Sequence, residues 1–277
     1  MPRILVLVLS VDSEPWRGIE LEGQRRTWAS ADAVPAGCKV VFYYGTLGIR
    51  RWFARVAGRL QRTEGSSAPR RLLRRIGMST VAAISVFSLR KPAVRRGDRL
   101  WTDVPETYWF TLPKTVSALR WATVAGEPRF DYVYRTNASS YIRLRTLQEV
   151  ANEMPRTGCY AGFLGRHPLT ECSFVSGSGA LMSWDVASEV GTCRTWDWGV
   201  VDDVAMGEHM NAIGIRPLAL PRVTLADPSA AESLTDEGLR GNFHFRCKSG
   251  EGLRADAAVM HTLHARLVGI GGGPAGA

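Results

Sequence analysis

The run Ile4–Leu9 (ILVLVL) is apolar without a break and stops at Ser10, Asp12 and Glu14. Six residues suit a strand covered on both faces and are too few for a membrane span or a secretory leader. Lys39–Tyr44 (KVVFYY, ended by Gly45), Phe130–Tyr134, Tyr160–Leu164 and Ile215–Leu220 predict further strands. Phe174–Asp185 predicts a strand, a small-residue loop at Gly177–Gly179 and a second apolar run. Helical spacing appears at Ile19–Trp28, from Leu112 onward with Pro113 in the first turn, and from Tyr141 to Leu147. It returns at Asp202–Ile213, where Val204, Met206, Met210 and Ile213 share one face. Strands alternating with helices predict an α/β fold with a mixed, mostly parallel central sheet. Phe130–Leu147 is its pivot, because a buried strand there ends in the small polar segment Thr136–Ser140. Open α/β sheets place ligands beyond such strand ends.

The 277 residues, 45% of them hydrophobic, can enclose a sizeable core. One domain is expected over residues 1–268, with a disordered Gly-rich tail at 269–277. Five cysteines without a C-x-x-C pair argue against a zinc ribbon or a disulfide framework. The net charge is +9, and only four of the 35 basic residues are Lys. Residues 49–99 form a basic insertion with fourteen Arg or Lys against two acids, Glu64 and Asp98. Within it, Trp52, Phe53, Val56 and Leu60 recur at near-helical spacing, and Glu64–Pro69 predicts a flexible break. The insertion reads either as a solvated, Arg-biased surface or as a basic amphipathic face for an anionic membrane or polyanion. A cytoplasmic chain, peripheral at the inner membrane face, is the matching expectation. No helix-turn-helix, zinc-finger or RNA-binding aromatic motif points to specific nucleic acid.

Several short elements resemble glycosyltransferase family 31, the β1,3-galactosyl-, β1,3-N-acetylglucosaminyl- and Fringe-like enzymes. Arg25, Thr27 and Trp28 resemble its early R-x-T-W. Asp103, Tyr108 and Lys114, followed by Leu119 and Trp121, resemble its D-x-x-[DE]-x-Y-x-N-L-T-x-K…W segment, with Phe110 replacing the Asn. FDYVYRT resembles the strand leading into the family's Asp-x-Asp metal motif. Phe174, Ser176, Gly177 and Gly179 resemble Y-x-S-G-x-G-Y, and Asp202, Asp203, Val204 and Gly207 resemble E-D-V-x-x-G. The match runs from about Ile4 to Leu220 without the insertion. It implies a GT-A fold and an inverting transferase that moves a sugar from a UDP-sugar to a hydroxyl on a glycan, glycoprotein or glycolipid.

The resemblance makes Asp203 the base that takes the acceptor proton, although Asp202 and Asp203 also suit capping of the helix that follows. Asp202 is a cap or an acceptor contact. Gly177, Ser178 and Gly179 would let the backbone approach a sugar, and otherwise make a tight turn. Trp196 and Trp198 are candidates to stack on acceptor rings, or else core residues. Arg25, Lys114, Arg246 and Lys248 are candidates for the donor diphosphate; Arg135, which directly precedes the polar loop, ranks below Arg25 and Arg246 because strand alternation is expected to turn it away. Asn137 and Ser139 stand where the family has its metal carboxylates, so donor binding through an amide and a hydroxyl is expected with no required cofactor. A manganese or magnesium ion held by other ligands is the alternative, with His244 or His264 among them. A catalytically inactive relative, or a basic polyanion-binding protein, is the rival reading.

Overall fold

The structure is a computed structural model that describes residues 1–47, 49–61, 68–124, 129–167, 171–198, 200–248 and 254–271. Ile4–Leu9 forms β1, and Ile4 to Val8 are fully buried. Ile4, Val6 and Val8 enter the core on one side of the sheet, while Leu5 and Leu7 enter the other. Side chains alternate across a strand, so an unbroken apolar run must be covered twice.

The other strands are β2 (Cys38–Thr46), β3 (Val94–Arg96), β4 (Arg99–Pro105), β5 (Tyr132–Asn137), β6 (Ser140–Ile142), β7 (Tyr160–Arg166), β8 (Ser173–Ser183), β9 (Leu218–Ala219), β10 (Val223–Thr224) and β11 (His244–Arg246). The helices are α1 (Trp16–Gly18), α2 (Ile49–Gln61), α3 (Ala68–Ser88), α4 (Thr111–Val124), α5 (Leu144–Asn152), α6 (Trp184–Thr192), α7 (Asp202–Ala212), α8 (Pro228–Glu232), α9 (Asp236–Arg240) and α10 (Asp256–Gly271). The main sheet has the order β3-β4-β2-β1-β5-β8-β7-β9, and a small second sheet has the order β10-β11-β6. β4, β2, β1 and β5 run parallel, whereas β8 is antiparallel to both β5 and β7. The chain is therefore a mixed α/β domain around a large, mostly parallel sheet.

From β1 the chain builds toward β2 and β4 on one side, and later toward β5 on the other. The gap beyond the carboxyl ends of β1 and β5 is a topological switch point, where such sheets hold ligands. Leu9 and Asn137, paired in register, are the last residues of those two strands.

Several expectations need correction. Ile19–Gln24 is π-helical and continues into turns, so the helix expected to Trp28 ends early. The wide turn places Glu20 and Gln24 inward. Glu20 accepts from Ser10, Tyr44 and Arg25, and Gln24 donates to the carbonyls of Asn137 and Ser140. β2 runs on through Gly45, whose amide donates to the Glu106 carboxylate at 2.6 Å. Ile213 is exposed at the end of α7, and only Leu218–Ala219 of the expected Ile215–Leu220 strand pairs with the sheet. α10 extends to Gly271, so 269–271 are helical, while 272–277 of the expected tail lie outside the described residues. Ala68 and Pro69 begin α3, and the rest of the expected break at 64–67 also lies outside them. Among the described residues no helix is long and apolar enough to cross a membrane.

Candidate active site

A cleft of about 320 Å³ opens at the switch point. Asn137 and Ser139 reach it from the β5–β6 turn, Ser176–Ser178 from β8, Asp202 and Asp203 from the start of α7, and Arg246 and Lys248 from β11 and the residues after it. These nine residues, all singled out in the sequence, thus meet at one place.

The element Ser176–Ser178 is a strand interior, not the expected loop. β8 stays on the β5 ladder through Gly179 opposite Thr136, but its pairing with β7 slips between Ala180 and Val175. A bulge of this kind re-aims backbone and side chains away from the sheet, here into the cleft. At Gly177 a Cβ would collide with Nη1 of Arg135, so any side chain there would displace that guanidinium. Gly179 is not in the cleft; it lies under Tyr134 Oη and His244, which correct its expected contact with sugar.

Asp203 is half-buried at the amino end of α7. Its carboxylate accepts from the amides of Val204 (3.0 Å) and Gly177 (3.3 Å). Burial first, and the neighbouring Asp202 charge second, hold its pKa above the ordinary carboxylate value. Asp202 is anchored by Arg135, with Nη2 at 2.5 Å from Oδ2, and the same guanidinium donates to the Gly177 carbonyl. The two adjacent acids therefore differ: Asp202 is ion-paired, and among the described residues Asp203 accepts from backbone amides alone.

Cations form the opposite wall. Arg246 is half-buried, has no acidic partner among the described residues, and its Nε is buried without a hydrogen bond. Burial, then the charge of Arg254, pulls its pKa down. Lys248 is exposed at the rim. Arg254 forks onto Asp256 (2.9 and 2.7 Å), stacks 4.4 Å over the Trp16 ring and donates from Nη2 to Ser139 Oγ at 2.8 Å. Behind this wall, Arg222 donates to the hydroxyls of Ser176 (3.1 Å) and Ser178 (2.7 Å). Arg222 and Arg254 were not among the sequence candidates. Arg135 was one, ranked below Arg25 and Arg246 because strand alternation was expected to turn it away; it does line the cleft, with its charge held on Asp202.

The residues at the Asp-x-Asp position do not fit a hard dication. Asn137 Oδ1 accepts from the Ser139 amide and the Ser140 hydroxyl, both at 3.2 Å, which shapes the turn. Ser139 Oγ accepts from the Arg254 guanidinium, so a positive charge already stands there. No group of three His, Cys, Asp or Glu side chains with metal-holding geometry occurs among the described residues.

Other candidates fall elsewhere. Arg25 is spent on Glu20 (2.8 Å) and Asp98 and lies over the Phe42 ring, away from the cleft. Lys114 is buried on Glu106 and lines an adjoining cleft of about 430 Å³. That cleft shares Leu9, Val11, Trp16, Tyr108 and Thr111 with the first. Trp196 is a core residue packed on the His209 ring, and Trp198 faces a different hollow, beside Arg90 and Arg120; neither can stack on a ligand in the cleft. His244 is buried, 3.2 Å from Ser140 Oγ, and burial with Arg222 and Arg246 pushes its pKa to about 3. It is a neutral core side chain. His264 hydrogen-bonds Tyr141 at 2.8 Å and lines a separate cleft with Trp28 and Arg143. No protein-family model matches the chain, and no curated protein matches it.

Proposed function

We propose that the chain is an inverting glycosyltransferase of GT-A type that uses a UDP-sugar. The observation that carries this reading is one pairing across one cleft. A carboxylate with a raised pKa, Asp203, faces a half-buried guanidinium, Arg246, that has no ion-pair partner among the described residues.

The donor diphosphate fits against Arg246, Lys248 and Arg254. Planar guanidinium groups match phosphate oxygens and hold their charge. The adjoining cleft, with Trp16 between the two, gives room for the nucleoside. The acceptor hydroxyl gives its proton to Asp203. Its oxygen then attacks the anomeric carbon from the face opposite the diphosphate. The bond from that carbon to the phosphate oxygen breaks, and UDP leaves with the electron pair. The cationic wall stabilises the charge that develops there. Asp203 suits the base role because its raised pKa brings its basicity closer to working pH.

Screening nucleotide sugars by thermal stabilisation is the direct test, since a ligand that binds only the folded chain raises its melting temperature. A UDP-sugar should stabilise the wild-type chain and leave Arg246→Ala much less affected. Failure of every nucleotide sugar to shift the melting temperature would remove the reading.

A further inference from the structure

The α2–α3 hairpin is built with its small residues inside and its large apolar residues outside. Ala54 and Ala57 of α2 and Gly77, Val81, Ser85 and Ser88 of α3 are buried, against Val104 and Phe110 of the domain. Small side chains there let the two helices pack closely. The large ones point away: Trp52 is 61% exposed, Phe53 54%, Leu72 59% and Ile76 46%. By helical phase, Trp52 and Val56 share the outward face of α2 with Arg55 and Arg59, and Leu72 and Ile76 share that of α3 with Arg75. A chain that solvates a hairpin in water would place these apolar residues inward. Their outward position needs an apolar cover.

Charge identifies the cover. The two helices carry eight Arg and no Asp or Glu. A second copy of the chain would set two such faces against each other, and like charges repel. Arginines interleaved with Trp, Phe and Leu match the boundary of an anionic bilayer, where the rings and aliphatic chains enter the headgroup layer and the guanidinium groups meet lipid phosphates. Placement agrees, because Arg55 and Arg59 also line the cleft that adjoins the candidate active site. We infer that the α2–α3 hairpin is a docking surface for an anionic lipid membrane, and that it holds the mouth of that cleft at headgroup level. The docking does not depend on the chemistry of the cleft.

The test is co-sedimentation of the full chain with vesicles of equal parts phosphatidylcholine and phosphatidylglycerol, and with vesicles of phosphatidylcholine alone. The chain should sediment with the anionic vesicles, far less with the neutral ones, and be released as salt rises and shortens the reach of surface charge. Trp52→Ser with Phe53→Ser should lose at least about tenfold in binding. Arg70→Gln with Arg75→Gln should lose roughly 25-fold, since each Arg near an anionic surface contributes about fivefold. All four side chains are exposed, so both variants should keep the circular dichroism and melting temperature of the wild type. Equal binding to neutral vesicles, no binding to either kind, or unchanged binding by the variants would overturn the inference. Self-association that is lost in the Trp52/Phe53 variant would assign the face to a second copy instead.

Discussion

The guanidinium of Arg135 occupies the space that a side chain on Gly177 would fill. From there it donates to the Gly177 carbonyl and pairs with Asp202, so one glycine decides where a buried cation sits in the candidate site.

Gly177→Ala should therefore push Arg135 off Asp202. Overpacking a tight site typically costs about 1–3 kcal/mol, and Asp202 would be left without its ion partner. A lower melting temperature is expected, together with a loss of transfer larger than the loss of donor affinity. Calorimetric titration of UDP beside steady-state kinetics separates the two. A variant with unchanged stability would show that Arg135 has another place to go.

Asp203 couples activity to stability. Its pKa is raised in the folded chain, so the folded state binds more protons than the unfolded state just above the ordinary carboxylate range. Stability contributed by this group falls as pH rises through the folded pKa. Asp203→Asn removes that cost while Asn can still accept from Val204 and Gly177. The variant should melt at or above the wild-type temperature at neutral pH, with the difference shrinking as pH is lowered through the folded pKa. Transfer should fall by roughly 10²-fold or more, the scale of a lost general base. The wild-type kcat/KM should drop on acidification at a pH above that of an unperturbed carboxylate. Near-normal turnover by Asp203→Asn would remove it from the mechanism.

How much of this was legible in the sequence follows from the range of the forces involved. β1 was fully visible because an apolar run bounded by polar residues needs no distant information. Gly177–Gly179 has the local composition of a loop, yet it is strand: Gly179 pairs with Thr136 of β5, and the carbonyls of Gly177 and Ser178 accept from Arg135 and Thr136, all more than forty residues away in the chain. Arg25 sits in a plausible motif, but its partners Glu20 and Asp98 are 5 and 73 residues away, and together they consume its charge. Arg254 reaches Ser139 across 115 residues with no pattern to announce it. Trp196 stands beside acidic residues like a surface aromatic, while the fold turns it into the core. Periodicity reports which face is covered; it does not report which charges are already paired.

The cationic wall is tested by binding. Among the described residues Arg246 makes no ion pair, so it has none to break when a diphosphate arrives. Removing one charge-assisted hydrogen bond costs about 1.5–3 kcal/mol, and Arg246→Ala should weaken UDP by roughly 10- to 150-fold. Arg254→Ala should also weaken it, and additionally loosen the Asn137–Ser140 turn by freeing Ser139. Because Asn137 and Ser139 are committed within the protein, UDP affinity should survive excess EDTA. Loss of binding with EDTA and its return with manganese would point to a metal held by ligands outside the described residues.

His244 should make the fold sensitive to acid. Its pKa of about 3 in the folded chain lies far below the roughly 6.5 of an unfolded histidine. Between these values the unfolded chain takes up a proton that the folded chain refuses, so stability is lost as pH falls through that window. The slope from this one group approaches about 1.4 kcal/mol per pH unit. The cause is burial first, with Arg222 and Arg246 adding repulsion to a charged ring. His244→Gln can keep a hydrogen bond to Ser140 Oγ without titrating. Urea unfolding at several pH values should show a shallower decline for His244→Gln than for wild type between about pH 6.5 and 4. At pH 8, where both side chains are neutral, that pH-dependent advantage disappears, and the variant should be no more stable than wild type. Parallel declines would mean that another group, not His244, governs acid unfolding.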